Sequence, residues 1–119
     1  MKLSLVVPCY NEADSVHLFQ DAVIAAFDGC GYDYEIIFVN DGSADKTLFQ
    51  LKKIYAAGKC PVKVVSFSRN FGKEAAIYAG MREAAGEYVS LIDADLQQRP
   101  EIVRDMVAML EGNPGIDVV

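Results

Sequence analysis

Four short apolar runs alternate along the chain with segments in which apolar side chains recur every three or four positions. The runs are Leu3–Val7, Ile36–Val39, Val62–Phe67 and Tyr88–Ile92. Their continuity, without a polar alternation, predicts strands covered on both faces. Between them, Val16, Phe19, Val23 and Phe27 fall on one helical face, as do Leu48, Leu51, Ile54 and Tyr55. Ile77, Gly80, Met81 and Ala84 make a third stripe, and Ile102, Met106, Val107 and Leu110 a fourth. Repeated strand–helix units predict an α/β fold: a mostly parallel, doubly wound sheet with helices on both faces and right-handed crossovers.

The punctuation agrees with this division. Ser43 is placed to cap the second helix, with Asp45 in its first turn. Gly58 and Gly86 are expected to end the second and third helices. Pro100 opens the fourth, and Gly112-Asn113-Pro114-Gly115 stops it. Ile116–Val119 then reads as the opening of a fifth strand. A domain seldom ends inside a core strand, so residues 1–119 read as the N-terminal part of something longer.

Composition narrows the function. At 119 residues, with 52% hydrophobic and 24% charged, the chain is one globular unit. No apolar run approaches the roughly 18 residues of a spanning helix, and the start lacks a signal-peptide pattern, so a cytoplasmic setting is expected. The net charge of -6, without a Lys/Arg cluster, argues against nucleic acid. An anionic small molecule remains accessible through a divalent cation. Cys9, Cys30 and Cys60 lack metal-ligand spacing and read as free thiols.

In an open parallel sheet, ligands bind at the carboxyl ends of the strands. Those ends carry Pro8-Cys9-Tyr10-Asn11-Glu12, Asn40-Asp41-Gly42-Ser43, Ser68-Arg69-Asn70-Phe71-Gly72-Lys73 and Asp93-Ala94-Asp95-Leu96-Gln97. The first turn lacks GxGxxG, and Gly72-Lys73 fails as a Walker A sequence because Phe67 and Glu74 stand at its other positions. His17, the one histidine, lies early in the first helix and is a poor candidate base. Asp93-Ala94-Asp95 is the sharpest signal. Residues two apart in extended backbone point the same way, so both carboxylates can face one cavity and hold Mg²⁺ or Mn²⁺. The competing reading is a pair of solvated turn aspartates. Asp41 is either turn chemistry or an acceptor for a base N–H or ribose hydroxyl. Tyr10 and Glu12 can stack on and bond a base, or serve as staple and cap. Arg69 and Lys73 can reach phosphates, or offset nearby acids.

Taken together, Val6-Val7-Pro8-Cys9-Tyr10-Asn11-Glu12, the Asn-Asp-Gly-Ser-x-Asp-x-Thr run at 40–47, Ser68-Arg69-Asn70-Phe71-Gly72-Lys73-Glu74-Ala75-Ala76 and Asp93-Ala94-Asp95-Leu96-Gln97 resemble glycosyltransferase family 2, in the family's order and spacing. The blocks at 68–76 and 93–97 are most similar to polyprenyl-phosphate sugar transferases, such as bactoprenol glucosyltransferases and dolichol-phosphate mannosyltransferases. The resemblance implies a Rossmann-like GT-A fold, a nucleotide-sugar donor and a divalent metal. By position, Pro8, Tyr10, Asn11, Glu12 and Asp41 would hold the nucleoside, with Asp93 and Ala94 beside it. Asp93, Asp95 and Gln97 would hold the metal, and Asn70, Gly72 and Lys73 would line the donor pocket. Gln98-Arg99-Pro100 departs from the Asp-Pro-Pro or Asn-Pro-Pro common in close relatives, which bears on acceptor geometry.

A UDP-sugar is the favoured donor, with GDP-mannose the other candidate. A lipid phosphate is already anionic and needs little general-base help, whereas a sugar hydroxyl would need a carboxylate base. No catalytic base is identifiable, and the acceptor side would lie beyond Val119. The longer protein is then expected at the cytoplasmic face of a membrane. The other readings are a family 2 transferase with a saccharide acceptor, a nucleotidyltransferase, or a nucleotide-binding fragment without turnover. A nucleotidyltransferase is disfavoured because the first loop is neither glycine-rich nor basic. If the strand order is 3-2-1-4, the fourth strand is an apolar edge through which the fragment is expected to self-associate.

Overall fold

The computed structural model describes residues 1–112. The chain runs β1 (Leu3–Cys9), α1 (Val16–Phe27), β2 (Tyr34–Asn40), α2 (Thr47–Ala57), β3 (Val62–Ser66), α3 (Lys73–Glu83), β4 (Tyr88–Leu91) and α4 (Pro100–Gly112). All described strand pairs are parallel, in the order β3-β2-β1-β4. This is the α/β architecture the apolar runs imply. The expected fifth strand at 116–119 lies outside the described residues.

Alternate side chains of the central strands enter two cores, as a pleated strand requires. Leu3, Leu5, Val7, Ile36 and Phe38 pack with α1, α2 and α4 through Phe19, Val23, Leu51, Ile54, Val103 and Val107. Val6, Ile37 and Val39 face the other way and meet Ala76 of α3. Three helices therefore cover one face and α3 alone covers the other.

Several local expectations are corrected. The second helix begins at Thr47, so Ser43 is not its cap; the Asp45 carboxylate instead accepts the Thr47 N–H at 2.9 Å from ahead of the helix. Gly58 does end α2, in the left-handed region at φ 63°. Gly86 does not end α3, which stops at Glu83. It is a close-approach residue, because a Cβ there would lie 2.6 Å from the Ser4 nitrogen. The α1 stripe is buried as expected, as are Leu51, Ile54, Gly80 and Val107 of the other three, but the rest of those stripes is less well covered. Tyr55, Met81, Ile102 and Met106 are exposed, while small Ala76 and Gly80 form the buried face of α3. Backbone proximity to the sheet, rather than side-chain size, selects that face.

One feature contradicts the expectation of wholly apolar strands. Ser4 and Glu35 are buried on neighbouring positions of β1 and β2. Ser4 Oγ donates to Glu35 Oε2 at 2.5 Å and accepts the Gly86 N–H at 2.8 Å. The same Oε2 accepts the Ala85 N–H at 2.8 Å, and Lys63 Nζ lies 3.1 Å from Oε1. Burial raises the Glu35 pKa, but the bonds from Ser4 and Ala85 and the Lys63 ammonium outweigh it, leaving it below its ordinary value. This network rivets the α3–β4 connection to the amino-terminal end of the sheet.

Candidate nucleotide-sugar site

At the opposite, carboxyl end of the sheet, Pro8, Cys9, Tyr10, Glu12, Asp41, Lys73, Asp93, Ala94 and Asp95 line a cleft of about 260 Å³. The ends of β1, β2 and β4 and the start of α3 thus converge on one space, where the strand-end rule places a ligand. Pro8, Tyr10, Glu12, Asp41, Lys73, Asp93, Ala94 and Asp95 were all singled out from the sequence. Asn11, Asn70, Gly72 and Gln97 lie outside the lining. Three of these four act on the residues that form it.

The first loop is held by the second. Asn11 adopts φ 55°, a region asparagine tolerates better than most residues. Its N–H donates to Ser43 Oγ at 3.0 Å, and its Oδ1 accepts the Ala44 N–H at 2.8 Å. Glu12 N–H donates to Thr47 Oγ1 at 2.9 Å, and Ala13 N–H to Asp45 Oδ2 at 3.3 Å. Asp45 also accepts the Thr47 hydroxyl and sits below its ordinary pKa, chiefly for that reason. Ser43, Asp45 and Thr47 therefore form a rack for Asn11–Ala13. Sequence reasoning missed it; the available signal was three polar side chains at alternate positions beside a turn.

Asp41, only 4% exposed, clamps the third loop. Its carboxylate accepts the Phe71 N–H at 2.8 Å, the Gly72 N–H at 3.1 Å and Asn70 Nδ2 at 3.2 Å. Asn70 Nδ2 also reaches the Asp41 carbonyl at 3.1 Å. Gly42 permits this contact, since a Cβ there would fall 2.1 Å from the Arg69 carbonyl carbon. The guanidinium of Arg69 lies over the Phe71 ring at 4.6 Å, outside the cleft.

Asp93 and Asp95 flank buried Ala94 just beyond β4. Lys73 Nζ stands 3.1 Å from Asp93 Oδ1, and Asp95 Oδ1 accepts the Gln97 N–H at 3.1 Å. Cys9 is buried, and desolvation, with Glu12 and Asp93 adding to it, pushes its thiol pKa well up, so it is no nucleophile. His17 pairs with Gln50 at 2.8 Å, away from the cleft. Among the described residues, no group of three or more His, Cys, Asp or Glu side chains could hold a metal. Two hard carboxylates in one cleft still fit Mg²⁺ or Mn²⁺, which take one or two protein carboxylates and complete their shell with water and phosphate oxygens.

Residues 4–119 match the description Glycosyl transferase family 2. The chain belongs to glycosyltransferase family 2. It is 39% identical over 111 residues to the dodecaprenyl-phosphate galacturonate synthase of Rhizobium johnstonii, covering 93% of this chain and 33% of that protein. It is 38% identical over 119 residues to the bactoprenol glucosyl transferase of Shigella phage SfV, covering 100% and 38%. The chain spans about a third of the length of the curated relatives it matches. Solved structures share the fold. Staphylococcus aureus TarS in complex with UDP aligns at TM-score 0.78 and 26% identity, over 96% of this chain and 33% of that one. The mannosyltransferase PcManGT of Pyrobaculum calidifontis, in complex with GDP-Man and Mn²⁺, aligns at 0.77 and 26%, over 92% and 32%. The sheet and helices described here are thus a GT-A fold.

Proposed function

We propose that the cleft binds the nucleoside diphosphate of a sugar donor together with a divalent cation. In the longer protein, the sugar would then pass to a polyprenyl phosphate. The observation that carries the reading is the gathering of Tyr10, Glu12, Asp41, Lys73, Asp93 and Asp95 around one cleft. Half-exposed Tyr10 offers a face for the base, with Pro8 and Glu12 beside it. Asp41 serves the nucleoside by fixing the Asn70–Gly72 turn beside it. Asp93 and Asp95, with the Gln97 amide, would hold the cation, which when bound offsets the charge of the diphosphate. Lys73 adds a cationic donor for phosphate oxygens.

A UDP-sugar is the favoured donor, supported by the likeness to TarS with UDP; GDP-mannose is the other candidate, supported by the likeness to PcManGT. The lipid-phosphate acceptor is supported by the names of the two curated relatives. With that acceptor, the reading has the longer protein working at the cytoplasmic face of a membrane. No helix among the described residues is long and apolar enough to cross a membrane. The reading includes self-association of residues 1–119. The outer edge of β4 has no strand partner among the described residues, and Val89 and Leu91 are exposed.

Isothermal calorimetry with UDP tests the proposal. Binding is expected with Mn²⁺ or Mg²⁺ and its loss with chelator, and equal binding in both conditions would overturn the cation's part. The double variant Asp93→Asn, Asp95→Asn should lose the metal dependence and keep or gain thermal stability, because a like-charged pair is relieved.

A further inference from the structure

We infer that the Lys73 ammonium is the resident counter-ion of Asp93. It occupies the place of the divalent cation in the donor-free site and moves to the diphosphate when the donor arrives. The inference rests on the nucleotide-sugar reading and deepens it by naming what couples the two ligands.

Lys73 is the first residue of α3, and Asp93 lies two residues beyond β4. Their side chains meet at 3.1 Å inside the cleft that Asp95 also lines. The base of the lysine stem is fixed. Lys73 follows Gly72, whose N–H and that of Phe71 are held by buried Asp41 at the end of β2. The tip, by contrast, is replaceable. The two side chains are 63% and 47% exposed, so water screens the pair and holds it weakly.

Three charges decide the exchange. Asp93 and Asp95 repel one another unless a cation stands between them, and Lys73 offsets only one. A divalent cation at Asp93 competes with the ammonium, because two positive groups held against one carboxylate repel each other. Bound alone, the cation sends Lys73 into water. Bound with a diphosphate, it leaves the ammonium an anionic partner within reach. Cation and donor therefore bind with positive coupling, and Lys73 is the coupling element.

The variant Lys73→Met removes the charge and keeps most of the stem. Its affinity for Mn²⁺ alone, read as free Mn²⁺ by electron paramagnetic resonance, should rise about two- to fivefold. Its affinity for UDP in the presence of Mn²⁺, read by calorimetry, should fall about tenfold. Lys73→Arg should keep Mn²⁺ affinity near that of the wild type. Lys53→Met removes an exposed charge outside the cleft and should change neither affinity. Unchanged Mn²⁺ affinity in Lys73→Met, or an equal rise in Lys53→Met, overturns the counter-ion role. Unchanged UDP affinity in Lys73→Met overturns the transfer to the diphosphate. Failure of the wild type to bind UDP with Mn²⁺ overturns the nucleotide-sugar reading itself.

Discussion

Glu35 gathers three polar partners from three parts of the chain onto one buried carboxylate. It satisfies the Ser4 hydroxyl, the Ala85 amide and the Lys63 ammonium at once. Glu35→Ala leaves the first two without this acceptor in a buried place, so a loss of about 2–4 kcal/mol is expected in urea denaturation. A loss below half a kcal/mol would show that water replaces the carboxylate. The pH dependence has a definite sign. The folded-state pKa lies below the ordinary 4.5, so the folded chain holds this proton less tightly than the unfolded chain. Its contribution is fully present above about pH 4.5 and is lost as pH falls through the folded value. Melting temperature should therefore fall more steeply below pH 4.5 in the wild type than in Glu35→Gln. Parallel curves would remove Glu35 from the acid response. None of this was legible in the sequence. Ser4 and Gly86 meet across 82 positions, and no periodicity links them.

At the scale of elements, the strands were readable because unbroken apolar runs such as Ile36–Val39 have few other uses. Helix faces were read less well. Of the expected stripe Ile77, Gly80, Met81 and Ala84, only Gly80 is fully buried, and α3 turns it with Ala76 to the sheet, where short residues allow close packing. The cleft was legible from the positions of the strand ends, whereas the rack of Ser43, Asp45 and Thr47 was not, since its partners lie more than 30 positions away. Loop-to-loop support also sets the next expectation. Gly42 has φ 64° and no room for a Cβ against the Arg69–Asn70 peptide. Gly42→Ala should cost about 1–3 kcal/mol and should also weaken UDP binding, because the turn carrying Lys73 must shift away from Asp41. Thermal denaturation and calorimetry read the two effects. Reduced stability with unchanged UDP affinity would separate the turn from the site.

Among the described residues of the whole molecule, helices cover the sheet unevenly and the outer edge of β4 has no strand partner. Light scattering of residues 1–119 should show concentration-dependent association, which Leu91→Lys should weaken by placing a charge on the exposed edge. A strict monomer at high concentration would rule this out. Residues 1–119 by themselves are expected not to transfer sugar, since they span about a third of the relatives' length. Product formed from a radiolabelled donor by residues 1–119 alone would contradict that.

The Ser4–Glu35–Gly86 rivet and the Asp93 cleft sit at opposite ends of one strand layer. Ser4 pairs with Val89, four residues before Asp93, which at about 3.3 Å each puts roughly 13 Å of strand between them. That is longer than the screening length of ordinary buffer, near 8–10 Å. The protein therefore carries two separately adjustable dials. Free-energy changes from Glu35→Gln and Asp93→Asn should sum in the double variant to within about 0.5 kcal/mol. Evolution or an engineer can tune robustness at one end of the sheet and leave ligand chemistry at the other untouched.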